Sequence, residues 1–366
     1  MSSRFLAAGA ALLTLATGAC GGGDPPAPGA PAPPERSANT GCVEPGSRSQ
    51  REVSPPRGAS DLPYGFNDHA GLVGEIPIAE DAALHERAGS TLWRVAIDWR
   101  FAEPEPGEIE LETHDAIYCE ALARGIRPVF HITGAPDWAA DDQECPVPTC
   151  IDPPARDALG ALSDFAGRVA ERYPGAAAIE AWNEPNLATF WAEPDPERYT
   201  RVLEAIHDGV KAADPSMPVL GGSLSNTGRT DATRMDFRAF LRRMYAAGAA
   251  RSMDGLAFHP YPVAPLGTDG ERFTRSMAEA RALAREPIWV TEVGIPVGGE
   301  VDEAEQAATV RGIYDRLAGD RRIRALIFHT LVEAREEAGE GSGFGWLVPT
   351  GDDLEPRPAF EEFAGR

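Results

Sequence analysis

The chain has 366 residues, with 34 Lys and Arg against 57 Asp and Glu, for a formal net charge of −23; 43% of the residues are hydrophobic. So acidic a surface repels nucleic acid and anionic headgroups, and 5 Cys are too few for a disulfide-dense mini-scaffold. The apolar fraction is ample for a large core, and a neutral partner such as a carbohydrate remains open.

Arg4 precedes an apolar run, Phe5 to Ala16, which stops at Thr17-Gly18-Ala19-Cys20. A basic start, a short apolar core and small residues before a break predict an export signal over 1–19, too short for a mature membrane span. Its end resembles a bacterial lipoprotein box, with Thr17 where such boxes usually carry a Leu-like residue. That resemblance implies acylation of Cys20 and a cell-surface or secreted protein, held to the membrane only through the lipid. Residues 21–58 hold 9 Pro and 7 Gly and almost no apolar side chains. Such a stretch buries too little surface to offset its ordering entropy and reads as a tether. Of the other cysteines, Cys145 and Cys150 flank a short Pro-stiffened loop and are expected to pair, which leaves Cys42 with Cys119.

From residue 59 to 366, short apolar runs alternate with amphipathic stretches. The runs begin at Tyr64, Leu92, Pro128, Ala178, Val219, Gly255, Ile288 and Ala325, about every 37 residues. That is the length of one strand-plus-helix unit, and eight of them predict a single (β/α)8 barrel of the α/β class. Helical stretches lie between, among them 158–171, 196–213 and 302–317. No Gly-rich phosphate loop follows any strand.

In such a barrel the chemistry gathers where strands end. Four of the seven His (His69, His131, His259 and His329) close predicted strands, beside Asn67, Asp68, Arg94, Asp98, Asn183, Glu184, Tyr261 and Glu292. Glu184 ends the fourth run in Trp182-Asn183-Glu184-Pro185-Asn186, and Glu292 ends the seventh in Trp289-Val290-Thr291-Glu292. Three units apart, they face one another across the mouth. Two carboxylates so placed suit glycosidic cleavage: one donates a proton to the leaving oxygen, and the other attacks the anomeric carbon or activates water.

These residues, with Gly125-Ile126-Arg127-Pro128-Val129, Ala135-Pro136-Asp137-Trp138, His259-Pro260-Tyr261 and Arg357-Pro358-Ala359-Phe360, resemble the clan of retaining (β/α)8 glycoside hydrolases. The pattern is most like the family of β-xylosidases and iduronidases (family 39), then the endoglucanase and mannanase family (family 5). The resemblance implies that Glu184 is the acid/base and Glu292 the nucleophile, without a cofactor or metal. It further implies that Asn183 binds the sugar 2-hydroxyl, Arg94 keeps Glu292 ionised, Tyr261 orients it, and His259 lies at the same subsite. His131 joins them at the rim. Trp138, Trp191 and Trp346 are candidate stacking surfaces for sugar rings. The clan commonly closes the eighth strand with Trp, whereas this chain has Phe328-His329-Thr330; Trp346, after the loop 339–345, is the expected substitute. The acidic surface favours neutral β-glycosides, and a monomer is expected. Two rivals are a metal-dependent hydrolase built on the rim histidines and a catalytically inactive carbohydrate-binding barrel.

Overall fold

The computed structural model describes residues 42–43, 62–141, 143–266, 271–334 and 343–364. The expected signal, Cys20 and most of the expected tether lie outside the described residues. Eight parallel strands close into one barrel in chain order: β1 (Tyr64–Asn67), β2 (Leu92–Asp98), β3 (Arg127–Thr133), β4 (Ala178–Ala181), β5 (Val219–Ser225), β6 (Gly255–His259), β7 (Ile288–Val293) and β8 (Ile323–Phe328). Around them run α1 (Ile78–Arg87), α2 (Trp99–Ala102), α3 (Glu112–Ala123), α4 (Leu159–Arg172), α5 (Pro196–Ala213), α6 (Phe237–Ala247), α7 (Glu271–Leu283) and α8 (Glu303–Leu317). A short hairpin, β9 (Leu347–Thr350) and β10 (Asp353–Pro356), and α9 (Pro358–Phe363) complete the chain.

Local chemistry sets these boundaries. Asp195 caps α5 by accepting from the amides of Glu197 and Arg198, and Pro196 follows at the first turn, where its missing N–H costs nothing. Asp302 and Glu305 form a reciprocal capping box on α8. Gly248, at φ 110°, ends α6 in the left-handed conformation that glycine adopts most cheaply.

The strands are buried on both sides, so their alternation separates two interiors rather than core from solvent. Outward residues such as Trp93, Val95, Ile97, Phe130, Ile132 and Ile179 pack beneath the helices. Inward, Leu92, Val129, Ala178, Ala257 and Ile327 fill the floor of the barrel, with Trp289 packed against them. Two residues further along each of these strands stand Arg94, His131, Glu180, His259, His329 and Thr291. The polar site therefore rests directly on an apolar plug.

Both disulfides are present, Cys42–Cys119 and Cys145–Cys150. The first joins the N-terminal segment to α3, and Cys42 and Val43 pack on the core there. Among the described residues no helix is long and apolar enough to cross a membrane.

Candidate active site

Arg94, on β2, is buried at the centre of the barrel mouth and organises the site. Its Nε donates to Glu180 Oε2 at 2.7 Å, Nη1 to Glu292 Oε2 and to Asn67 Oδ1 at 3.0 Å each, and Nη2 to Asn183 Oδ1 at 2.9 Å. Asn67 Nδ2 donates to the same Glu292 oxygen at 3.1 Å, and the Tyr261 hydroxyl donates to Glu292 Oε1 at 2.6 Å. Both carboxylate oxygens of Glu292 are thus held by donors that favour the ionised form.

Glu184 is placed differently. Strand β4 ends at Ala181, three residues earlier than expected, and the backbone turns through left-handed conformations at Trp182 (φ 72°) and Glu184 (φ 39°). Such non-glycine positions store roughly 1–3 kcal/mol of strain each, and they persist where the surroundings fix them. Here the Glu184 amide donates to Ser223 O at 2.9 Å and the Trp182 indole to Phe190 O at 2.6 Å. The turn aims the Glu184 carboxylate at His259, whose Nδ1 lies 3.0 Å from its Oε1 and 3.9 Å from Glu292 Oε2. One ring nitrogen therefore spans both carboxylates, and their nearer oxygens are no further apart than those two distances combined.

The two acids are pushed in opposite directions. Burial raises the Glu184 pKa above the ordinary value, and the Glu292 charge adds to this against the hydrogen bond with His259. Burial also disfavours the Glu292 anion, but the charges of His259 and Arg94 and the Tyr261 hydroxyl outweigh it, and its pKa falls. Burial opposes the His259 imidazolium, yet Glu292, Glu180 and Glu184 lift its pKa to about 9. With Glu184 protonated, two anions (Glu180, Glu292) face two cations (Arg94, His259), and the buried cluster is neutral.

Glu180 belongs to this cluster and was not among the expected site residues. It is fully buried, accepts from Ser223 Oγ at 2.6 Å, Thr291 Oγ1 at 2.9 Å and Arg94, and its pKa lies well below the usual range. Burial works against its charge, and Arg94 more than offsets that. Its signal in the sequence was a lone charge inside Ala178-Ile179-Glu180-Ala181-Trp182, on the strand's inward face.

Glu184, Glu292, Asn183, Arg94, His259 and Tyr261 thus form one network. His131 lies beside it on β3, its ring 6.4 Å from that of His69; burial and the Arg94 charge keep His131 neutral. The tryptophans are elsewhere. Trp346 is buried in the core against Phe66, Phe328 and Phe363, not turned toward the mouth; Phe344 is the ring of that loop that meets His329 (5.2 Å) and Tyr261 (5.9 Å). Trp191 is packed between Trp182 and Tyr199. Trp138 is half-buried on Trp99 and donates to Glu103 O at 3.2 Å.

Residues 120–344 match the model of the family described as glycosyl hydrolase catalytic core. A stretch of 62 residues is 36% identical to a beta-xylosidase of Geobacillus stearothermophilus, covering 17% of this chain and 12% of that one. Among solved structures the fold is similar to a family 39 glycoside hydrolase from Bacteroides cellulosilyticus WH2 (TM-score 0.65, 22% identity, 83% of this chain and 63% of that one). It is also similar to a monomeric beta-xylosidase from Caulobacter crescentus CB15 (TM-score 0.61, 19% identity, 83% and 67%). An exo-beta-1,4-mannosidase from Opitutaceae bacterium strain TAV5 superposes nearly as well (TM-score 0.60, 18% identity, 83% and 58%). The chain thus spans a small part of that curated relative and under two thirds of the Bacteroides chain. The family model covers more than half of this chain, and the protein belongs to the glycosyl hydrolase catalytic core family.

Proposed function

We propose that this chain hydrolyses β-glycosides of neutral sugars with retention of configuration. The observation that carries the reading is a pair of carboxyls gathered about one histidine, with the pKa of Glu184 pushed up and that of Glu292 pushed down. Glu184, protonated, donates to the glycosidic oxygen as Glu292 attacks the anomeric carbon, giving a glycosyl ester on Glu292 and a free alcohol. Glu184, now ionised, takes a proton from the water that attacks the same carbon, and Glu292 leaves as carboxylate. The cluster stays neutral throughout: the charge lost when Glu292 is esterified reappears on Glu184. Each step therefore avoids the cost of an uncompensated buried charge. Because Asn183 Oδ1 accepts from Arg94, its Nδ2 is left to donate to the sugar 2-hydroxyl.

The acidic chain supports a neutral substrate, as do the xylosidase and mannosidase activities named for its relatives. The monomeric Caulobacter enzyme supports action as a monomer. Two disulfides support export, and the lipid on Cys20 belongs to the same reading. Turnover of a panel of aryl β-glycosides tests the function. Glu292→Ala and Glu184→Ala should each lower kcat by about 10²–10⁴ or more while the fold is kept. Azide should restore turnover in both, giving the β-glycosyl azide from the Glu184 variant and the α-azide from the Glu292 variant. Undiminished hydrolysis in either variant would refute the assignment.

A further inference from the structure

A second group of acids lies behind the wall of the barrel. Asp68, just after β1, and Asp81 and His85, one turn apart on α1, bring one donor atom each within 4.8 Å of one another, and all three side chains are buried. The neighbouring residue Asn67 points inward to Glu292, so strand alternation sends Asp68 the other way, toward α1. Among the described residues no Lys or Arg forms an ion pair with either carboxylate; the one basic partner is His85, its Nε2 3.7 Å from Asp81 Oδ1. That distance is too long for a hydrogen bond, and both atoms lack any other partner. It is close to the separation of two ligands on one tetrahedral zinc, about 3.4 Å for bonds of about 2.1 Å.

The remaining contacts hold these ligands in place. Asp81 Oδ2 accepts from the Gly71 amide at 2.8 Å, so close that a Cβ on residue 71 would lie 2.7 Å from it. Asp68 Oδ1 accepts from the amides of His69 and Ala70 and from the Thr330 hydroxyl, and Oδ2 accepts from the Val332 amide alone, which leaves Oδ2 a lone pair for a ligand. The His85 ring stacks on Trp93 with centroids 4.2 Å apart, and its Nδ1 meets Ser90 Oγ at 3.4 Å, which leaves Nε2 directed at Asp81.

We propose that Asp68, Asp81 and His85 bind a divalent transition ion of the zinc class, in a structural site separate from the reacting carboxylates. Two carboxylates and a neutral imidazole carry two negative charges, which a dication cancels. A nitrogen ligand argues against calcium and magnesium, which prefer oxygen alone, and for zinc or its first-row neighbours. The ion joins the loop after β1 to α1 and, through Asp68, to the segment after β8. The simpler alternative is a proton shared by the two acids.

The test uses the whole chain, stripped with chelator and then titrated with Zn²⁺ alone. The expected result is one Zn²⁺ per chain by elemental analysis, with Tm raised by about 5–10 °C when Zn²⁺ reaches a hundredfold excess over Kd. Co²⁺ in place of Zn²⁺ should show the visible absorption of a four-coordinate ion, with a water as the fourth ligand beside Asp68, Asp81 and His85. Asp81→Asn and His85→Gln should each lose both the bound ion and the Tm rise. No uptake of Zn²⁺, Mn²⁺ or Co²⁺ by the wild type would overturn the proposal, as would unchanged uptake in the His85 variant. If the acids merely share a proton, Asp81→Asn, isosteric with the protonated acid, keeps the wild-type Tm with and without Zn²⁺. None of these readouts depends on glycoside turnover, so the site stands or falls apart from the proposed reaction.

Discussion

Asn67 and Asp68 are neighbours in the chain, yet they serve two buried acidic clusters of different construction. Around Asn67, Glu180 and Glu292 are answered by Arg94 and His259, and hydroxyls of Tyr261, Thr291 and Ser223 occupy the remaining lone pairs. Around Asp68, two carboxylates face one uncharged imidazole, with backbone amides and the Thr330 hydroxyl as their other partners. The first cluster carries its own cationic partners, whereas among the described residues the second has no Lys or Arg, and burial pushes both of its acids toward the neutral form. A buried acid therefore says little by itself; the identity of its partners separates a reacting carboxylate from one that holds an ion or a proton.

Arg94→Met breaks the first arrangement most severely. It removes the cation between Glu180 and Glu292 while keeping the volume, and should cost about 3–5 kcal/mol, measured by urea unfolding. A loss below about 1 kcal/mol would show that His259 alone compensates both acids. Tyr261→Phe is gentler. The hydroxyl stabilises ionised Glu292, so its loss raises the pKa of Glu292 and moves the acidic limb of kcat/KM to higher pH. The basic limb, set by loss of the Glu184 proton, should stay where it is, and kcat should fall roughly tenfold, the worth of one hydrogen bond to a charged group. An unmoved acidic limb would remove Glu292 from the role of titrating nucleophile. The smallest effect is expected in the second cluster. In chelator-stripped protein, Asp81→Asn should change stability by less than about 1 kcal/mol, since the amide still accepts from Gly71 and can donate to His85. A larger loss would mean that Asp81 is ionised and already compensated.

The barrel was legible because eight apolar runs at near-regular spacing admit few other closures, and each run became a strand. The site was legible where chemistry-bearing residues stood at strand ends, as Glu292 and His259 do. Glu180 was harder to see. It lies mid-strand, and only the period of two along a strand buried on both sides shows that it shares a face with the mouth. The turn at Trp182–Glu184 was also hidden, since left-handed backbone at Trp and Glu follows from tertiary contacts to Ser223 and Phe190 and not from local preference. Trp346 shows the reverse error. Trp346 was expected to replace the missing strand-8 Trp at the mouth, but the aromatic side chains of β1, β8 and α9 offered it a core, and Phe344 meets the rim histidine instead. The Asp68 cluster escaped notice because its three members come from a loop and a helix face, without any spacing that marks them as a set.

The bond between Cys42 and Cys119 has a mechanical consequence. A pull applied to the chain ahead of residue 42 enters the barrel through α3, and the covalent loop from 43 to 118, which includes β1 and β2, carries none of it while the bond is intact. A single cut anywhere within that loop likewise leaves one molecule, separable only by a reductant. The first strand, which supplies Asn67 to one cluster and leads into Asp68 of the other, is thereby shielded from whatever load the N-terminal segment transmits.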